Sequence, residues 1–289
     1  MSGISAIRVK ELRDRTGAGV MDCKNALSES NNDLDKAAEI LEIKGKLKAA
    51  ARSGKDVSDG LIGISHSGYE KAAIIEVNVE TESVALSAEF QNVVYKIADV
   101  ALSTDGTAES ISLAQCDDGI NVEDKIKNCI SIVGENIKLG RTGILSVSEG
   151  VVSSYVHSAV AKSLGKIGVI VALRSSGDKE KLSFIGEQIA MHVAASSPLV
   201  ISVEKLDPSI VAKRRAYYME EIRDSDKSSD VIEKIVNGKM QKFFKEVVLL
   251  SQDFVVDPSK TISVFLKESE KVVGAQIELV DMIHFVLGS

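Results

Sequence analysis

Twice along this 289-residue chain, alternating apolar positions turn back on themselves and give way to apolar positions three or four apart. Period two is the signature of a half-buried strand, and period 3.6 that of a helix laid on a core. A chain that runs hairpin then helix, and then does so again, is constrained to an α+β architecture with antiparallel sheets. In the first unit, Leu61, Ile62 and Ile64 lead into a Ser67-Gly68 turn, and residues 72–79 return as a second strand. Helices are expected at 82–102 and at 122–139, the latter with Ile126, Ile130, Val133 and Ile137 on one face. The second unit has strand candidates at 143–147, 152–156, 167–173 and 271–280, and helices near 178–194, 207–224 and 229–250. Asp207-Pro208 and Asp257-Pro258 each place an N-cap residue before a proline at the first helical position. The helices between 178 and 228 read as an antiparallel pair inserted in this second unit.

Charge separates a further module. Residues 1–55 carry 11 Lys/Arg against 8 Asp/Glu, a net of +3, whereas the rest of the chain is net -10. The module reads as three short helices. The first contains Ile4, Ile7 and Leu12 and is broken by Thr16-Gly17-Ala18-Gly19. The second runs over 20–28, and the third, over 34–41, follows an Asn31-Asn32-Asp33 turn. Residues 44–55 are basic and Ala-rich and fit either a solvated helical linker or a docking surface.

Several function classes are disfavoured. Net charge is -7, which argues against a chain-wide polyanion-binding surface. With no Trp and 12 Phe plus Tyr, base stacking on single-stranded nucleic acid has little to build on. Residues 1–15 hold six charged side chains and do not read as a signal peptide. The apolar run at 167–173 falls far short of the ~20 residues of a membrane helix. Cys23, Cys116 and Cys129 are widely spaced and form no zinc pattern. The expectation is a reduced, soluble, cytoplasmic protein with no membrane or nucleic-acid partner.

The motifs for chemistry are incomplete. Gly17-Ala18-Gly19 follows a helix rather than a strand and lacks the third glycine of a dinucleotide fingerprint. Gly54-Lys55 and Gly165-Lys166 lack the Ser/Thr of a phosphate loop, so no direct nucleotide site is expected. Ser65-His66-Ser67 reads as a polar turn, without the spacing of a nucleophile elbow. Asp224, Asp226 and Asp230 lack the glycine and closing glutamate of a calcium loop. His157 in a strand and His192 on an amphipathic helix each read as structural when taken alone. No acid–base, metal or nucleophile constellation forms. That favours a protein that acts by binding, with no metal, no cofactor and no catalytic residue.

Five segments, in order, carry a resemblance. They are Val9-Lys-Glu-Leu-Arg-Asp-Arg-Thr-Gly-Ala-Gly-Val-Met-Asp-Cys-Lys-Asn-Ala-Leu27; Glu76-Val-Asn-Val-Glu-Thr-Glu-Ser-Val-Ala85 with Phe90 after it; Val133-Gly-Glu-Asn136; Ala190-Met-His-Val-Ala-Ala-Ser196; and Phe254-Val-Val-Asp-Pro-Ser-Lys-Thr261. Together they resemble the bacterial elongation factor Ts family along nearly the whole chain. The resemblance implies a guanine-nucleotide exchange factor for elongation factor Tu. It also implies a ubiquitin-associated-like three-helix N-terminal module, a two-part α+β core and a helical hairpin inserted in the second part. The corresponding division is 1–55, 56–140, 141–177 with 229–281, 178–228 for the hairpin, and a tail at 282–289. In that family exchange involves no covalent chemistry: the factor disturbs the magnesium and phosphate contacts of the GTPase, GDP leaves and GTP rebinds. A partner that has kept Tu binding but lost most exchange activity is the alternative reading, and an enzyme with an unrecognised site a third.

The resemblance also implies the residues that face Tu. Arg13, Val20 and Met21 match contacts from the N-terminal module, although Val20 and Met21 could equally be its core. The family's Thr-Asp-Phe-Val core motif stands here as Thr81-Glu82-Ser83-Val84. The carboxylate is kept, one methylene longer, and it could equally serve as a first-turn acid. The phenylalanine that wedges into the GTPase is replaced by Ser83, which cannot bury the ~150 Å² of an aromatic anchor. Three substitutes stay open: Val84 or Leu86 in its place, a changed partner pocket, or heavier reliance on other contacts. Val133, Gly134, His157, Val255 and Val256 are further matches. Gly134 could instead be a helix-packing glycine, and Val255 and Val256 core. The resemblance further implies that a C-terminal helix contact of long family members is reduced or lost, and that the inserted pair could join two copies as a homodimer or a dimer of factor–Tu pairs.

Overall fold

Three helices open the chain in a computed structural model that describes residues 4–223 and 228–289. They are α1 (Ala6–Thr16), α2 (Val20–Glu29) and α3 (Leu34–Arg52). Asp33 caps α3, accepting the backbone N–H of Asp35 and Lys36 at 3.1 Å each. Leu12, Cys23, Ala26, Leu27, Ala37 and Leu41 make the module's small core. The basic stretch at 44–55 is largely the continuation of α3 rather than a free linker. Lys44, Lys46 and Lys48 pair outward with Glu29, Glu42 and Asp22. Gly45 and Ala49 on the same helix are buried. A Cβ on Gly45 would stand 2.6 Å from Ser131 Oγ, so glycine is what lets α3 close on the core.

The first unit is the hairpin β1 (Asp59–Ser67) and β2 (Lys71–Val79) with α4 (Glu82–Ala85), α5 (Ala88–Ala101), α6 (Ala108–Leu113) and α7 (Val122–Val133). Two sequence expectations are corrected here. The helix expected over 82–102 breaks at Leu86-Ser87, because the Ser87 hydroxyl accepts the Phe90 N–H and starts a new helix. The helix expected to reach 139 stops at Val133, because Gly134 takes φ +77 and closes it as a left-handed cap. Ile137, spaced as a helical residue, instead opens β3 (Ile137–Ser146). Helix α6 was not anticipated.

The second unit contains β4 (Gly150–Ala161), β5 (Leu164–Arg174), α8 (Lys179–Ser196), α9 (Pro208–Glu221), α10 (Ser229–Val247), β6 (Asp253–Phe254), β7 (Asp257–Thr261), α11 (Ile262–Val273) and β8 (Glu278–Val286). Asp207 caps α9 ahead of Pro208 as expected. Asp257-Pro258 does not start a helix. It lies in the short β6–β7 ribbon, an edge where proline's missing N–H is tolerated, and Thr261 caps α11. The strand expected at 271–280 begins only at Glu278, because α11 runs to Val273 and ends at Gly274. Residues 282–286 are therefore strand, paired along β5 from Ile283↔Ile170 to Val286↔Ile167, rather than a tail. The projecting pair is also displaced from 178–228. Leu182, Ile185, Ile189 and Val193 of α8 are buried in the second unit's core. The antiparallel pair is α9 with α10, joined by Arg215 to Glu233 and Asn237, and by Arg214 over the Phe243 ring. Of the acidic residues weighed as a calcium loop, Asp224 and Asp226 lie outside the described residues.

The two units share one antiparallel six-stranded sheet of order β3-β2-β1-β5-β4, with β8 also paired to β5. The join is narrow, Ile62↔Gly165 and Gly63↔Leu164. Helices cover one face of each half, around Phe90, Val94 and Ile97 in the first and Val171, Ile189 and Leu266 in the second. The other faces meet through Ile62, Ile64, Ile74, Ile170 and Phe285, so the sheet folds back on itself. This closure fixes the end of β2, where the conspicuous motif emerges.

Candidate protein-docking site

Val79 is the last buried residue of β2, and the chain leaves the sheet at Glu80. Thr81 is extended (φ -132, ψ 152) and precedes α4. It does not cap that helix with its own side chain. Instead it donates its N–H to Glu135 Oε2 (3.0 Å) and its hydroxyl to Glu135 Oε1 (2.7 Å). Glu82 begins α4 and is exposed, with its carboxylate 3.7 Å from Lys166 Nζ. Lys166 also binds Asp59; burial pushes that carboxyl up, but Lys166 and the Gly60 N–H outweigh it and hold it below its ordinary range. Ser83 is exposed. Val84 is half-buried and packs on the first unit's core, and Ala85 is buried. Leu86, just past α4, is 49% exposed. The surface of this turn therefore presents Glu82, Ser83 and Leu86, a carboxylate and one large apolar side chain.

Val20 (51% exposed) and Met21 (63%) stand at the start of α2, outside the module's core, and Arg13 is exposed on α1. The core reading of Val20 and Met21 is thus excluded: Cys23, Ala26 and Leu27 fill that role. Val133 is half-buried against the first core. Gly134 is not a packing glycine, because a Cβ there would meet nothing within 4 Å. Its role is the positive φ that turns the chain toward Glu135. His157 is exposed on β4, 3.3 Å from the Tyr155 hydroxyl, and pairs with Ile167, the neighbour of Lys166.

Val255 and Val256 form the exposed turn between β6 and β7, so the core reading fails for them too. Beneath them Phe254 is buried and stacks on Phe265 at 4.4 Å between centroids. The Val255 N–H donates to Nδ1 of buried His192 (3.2 Å). An Nδ1 that accepts leaves the proton on Nε2, which faces Gln252 Oε1 at 2.9 Å. Gln252 is oriented in turn by donating to the Glu246 carbonyl. Burial depresses the His192 pKa, against a smaller opposing pull from Gln252, so the ring serves as a neutral structural bracket.

The structure thus gathers Thr81–Val84, Val133 and Gly134 into one neighbourhood, with His157 on the strand beside it. Val20–Met21 and Val255–Val256 are presented on other elements. Glu135, Asn136, Arg52 and Lys166 were not among the residues expected to face Tu, although Glu135 and Asn136 sit in the quoted Val-Gly-Glu-Asn segment, Arg52 in the basic 44–55 stretch and Lys166 in the rejected phosphate-loop match. Among the described residues no group of three or more His, Cys, Asp or Glu side chains is placed to hold a metal ion. No described helix is long and apolar enough to cross a membrane. The three cysteines are free and buried, and burial pushes the Cys129 thiol up to about 12.

Exposed apolar side chains at the turn after β2, at the start of α2 and on the β6–β7 turn are of the kind that make protein–protein contacts. Residues 80–289 match the family Elongation factor TS. Over all 289 residues the chain is 49% identical to Elongation factor Ts of Rhizobium etli (strain CIAT 652), covering 94% of that protein. It is 48% identical over 286 residues to Elongation factor Ts of Rhizobium meliloti (strain 1021), covering 99% of this chain and 93% of the relative. The chain belongs to the elongation factor Ts family, and its role is that of a translation elongation factor.

Proposed function

We propose that this chain binds elongation factor Tu in its GDP form and promotes GDP release, after which GTP rebinds. The work is done by binding, in the cytoplasm, without covalent chemistry. The observation that carries this reading is the turn after β2, where Glu82 and Leu86 project from a rigid strand end. A carboxylate brought toward the phosphate–magnesium end of a nucleotide site competes electrostatically with the contacts that hold GDP. An apolar side chain beside it supplies the local burial that stabilises the displaced arrangement. With serine at position 83, Leu86 is the apolar side chain free for that task, since Val84 is committed to the core. Val20, Met21 and Arg13, His157, and Val255 with Val256 give the further contacts.

Such a factor and GDP are two ligands of Tu with negative coupling. Whatever factor lowers the affinity for GDP must lower the affinity for this chain by the same ratio. Calorimetric titration of Tu with this chain, without nucleotide and with saturating GDP, tests the reciprocity. The expected weakening by GDP is about 100-fold, matching the weakening of GDP by the chain. Equal affinities in the two titrations would identify a Tu binder without exchange activity and overturn the proposal.

A further inference from the structure

Three segments distant in sequence, 52–55, 80–81 and 134–136, meet beside the turn after β2. Arg52, in the last turn of α3, donates to both carboxylate oxygens of Glu80 at 3.3 Å. Buried Asn136 donates its N–H to Glu80 Oε1 (2.6 Å). Its side-chain amide donates to the carbonyls of Lys55 (2.7 Å) and Ser53 (3.4 Å). Glu135, next to it, takes both donors of Thr81. The Gly134-Glu135-Asn136 turn thus grips the end of α3, the 53–55 connector and the start of the docking turn at once. The helix that ends there belongs to the module bearing Arg13, Val20 and Met21; the turn bears Glu82, Ser83 and Leu86.

We infer that Glu135 is a positioning residue for nucleotide exchange, and that with Asn136 it forms a clasp locking the docking turn and the N-terminal module in one relative placement. Glu135 directs its hydrogen bonds to Thr81 rather than to the outward-facing Glu82 or Ser83. It acts through Thr81, fixing the backbone one residue before Glu82. Two carboxylate hydrogen bonds on a single residue restrict both its N–H and its side chain, and charge-assisted bonds of this kind are about twice as strong as neutral ones. A docking turn held in advance pays less ordering entropy on binding. Two patches held at a fixed separation also engage as one, the second at high effective concentration once the first has docked. Without the clasp the turn still exists, but Glu82 and Leu86 arrive unaligned.

This inference rests on the exchange reading above, and the test separates the two. GDP release from Tu is followed at increasing concentrations of the unmodified chain, of Glu135→Ala and of the nearly isosteric Glu135→Gln. Hydrogen exchange of the Thr81 amide is read in each free protein. The expected result for Glu135→Ala is a maximal release rate about tenfold lower with a half-saturating concentration shifted less than about threefold, as for misplacement of a reacting group. Glu135→Gln, which keeps one acceptor oxygen, falls between. The Thr81 amide exchanges faster in both variants while the melting temperature holds, which a merely structural role does not produce. If the unmodified chain accelerates release and Glu135→Ala does so equally well at saturation, the clasp is refuted and the exchange reading stands. If the unmodified chain gives no acceleration, the exchange reading fails first and the positioning role with it.

Discussion

Leu86→Ala slows GDP release from elongation factor Tu by about 30-fold at saturating chain, the kinetic equivalent of a 2 kcal/mol hot spot. The size follows from its setting. Leu86 is about half exposed, immediately beyond α4, on a turn whose other outward side chains are Glu82 and Ser83. No second large apolar residue is presented there, because Val84 is packed inward and Ala85 is buried. Truncation of a half-exposed side chain leaves the fold's core intact, so thermal unfolding stays within about 0.5 kcal/mol of the parent. Stopped-flow release of a fluorescent GDP analogue, with a melting curve alongside, checks both parts. An unchanged rate would assign the apolar contact elsewhere, with Val20, Met21, Val255 and Val256 as the remaining exposed candidates.

Phe254→Ala destabilises the chain by about 4 kcal/mol, the range for removing a buried aromatic from a packed core. Phe254 is almost wholly buried, stacks on Phe265 and lies 6.0 Å from the His192 ring. At about 2–4 °C per kcal/mol for chains of this size, the melting temperature falls by about 10 °C. The consequence for docking is local. The Val255–Val256 turn is held from below by Phe254 and by the His192 Nδ1 bond, so losing the aromatic frees the turn while the first unit, with its own core, keeps its structure. Calorimetric unfolding and titration against nucleotide-free Tu measure the two effects. A shift of only one or two degrees would show that Phe265 and Leu266 refill the space, and that Phe254 does not support the turn.

Much of the fold was legible because period two and period 3.6 alternate cleanly where one face is buried. The three N-terminal helices, both strands of the first hairpin and the stripe on α8 follow from that contrast. The errors have physical causes. Ile130, Val133 and Ile137 keep helical spacing across Gly134, yet a single left-handed glycine ends the helix between them. Asp257-Pro258 has the composition of a helix start, but Asp257 turns back on Ser259 and the segment pairs as an edge ribbon. Val272 and Val273 favour a strand locally, whereas the place of Val273 on the buried stripe of α11 with Ile262 and Leu266 keeps the segment helical.

The candidate site was legible in part. The motif at Thr81–Val84 and the turn at Val255–Val256 were readable as residues, but not whether they faced out. Apolar type alone does not separate Met21, which is exposed, from Cys23, which is not. The Glu135–Thr81 contact spans 54 residues and has no local signature, so only tertiary structure brings it to view. The same holds for Lys166, which reaches Glu82 and Asp59 across the join between the two units.

The most direct measurement is catalytic turnover of exchange. Tu loaded with a fluorescent GDP analogue is mixed with excess unlabelled GDP and a tenth of an equivalent of the unmodified chain, at fixed magnesium, with Ser83→Phe in parallel. The expected result is complete release of the label, faster than the spontaneous rate by at least about 100-fold, so that each molecule of the chain serves several molecules of Tu. Release at the spontaneous rate, with the chain demonstrably bound to Tu, would contradict the account, and restoration of fast release by Ser83→Phe would place the fault at the turn after β2.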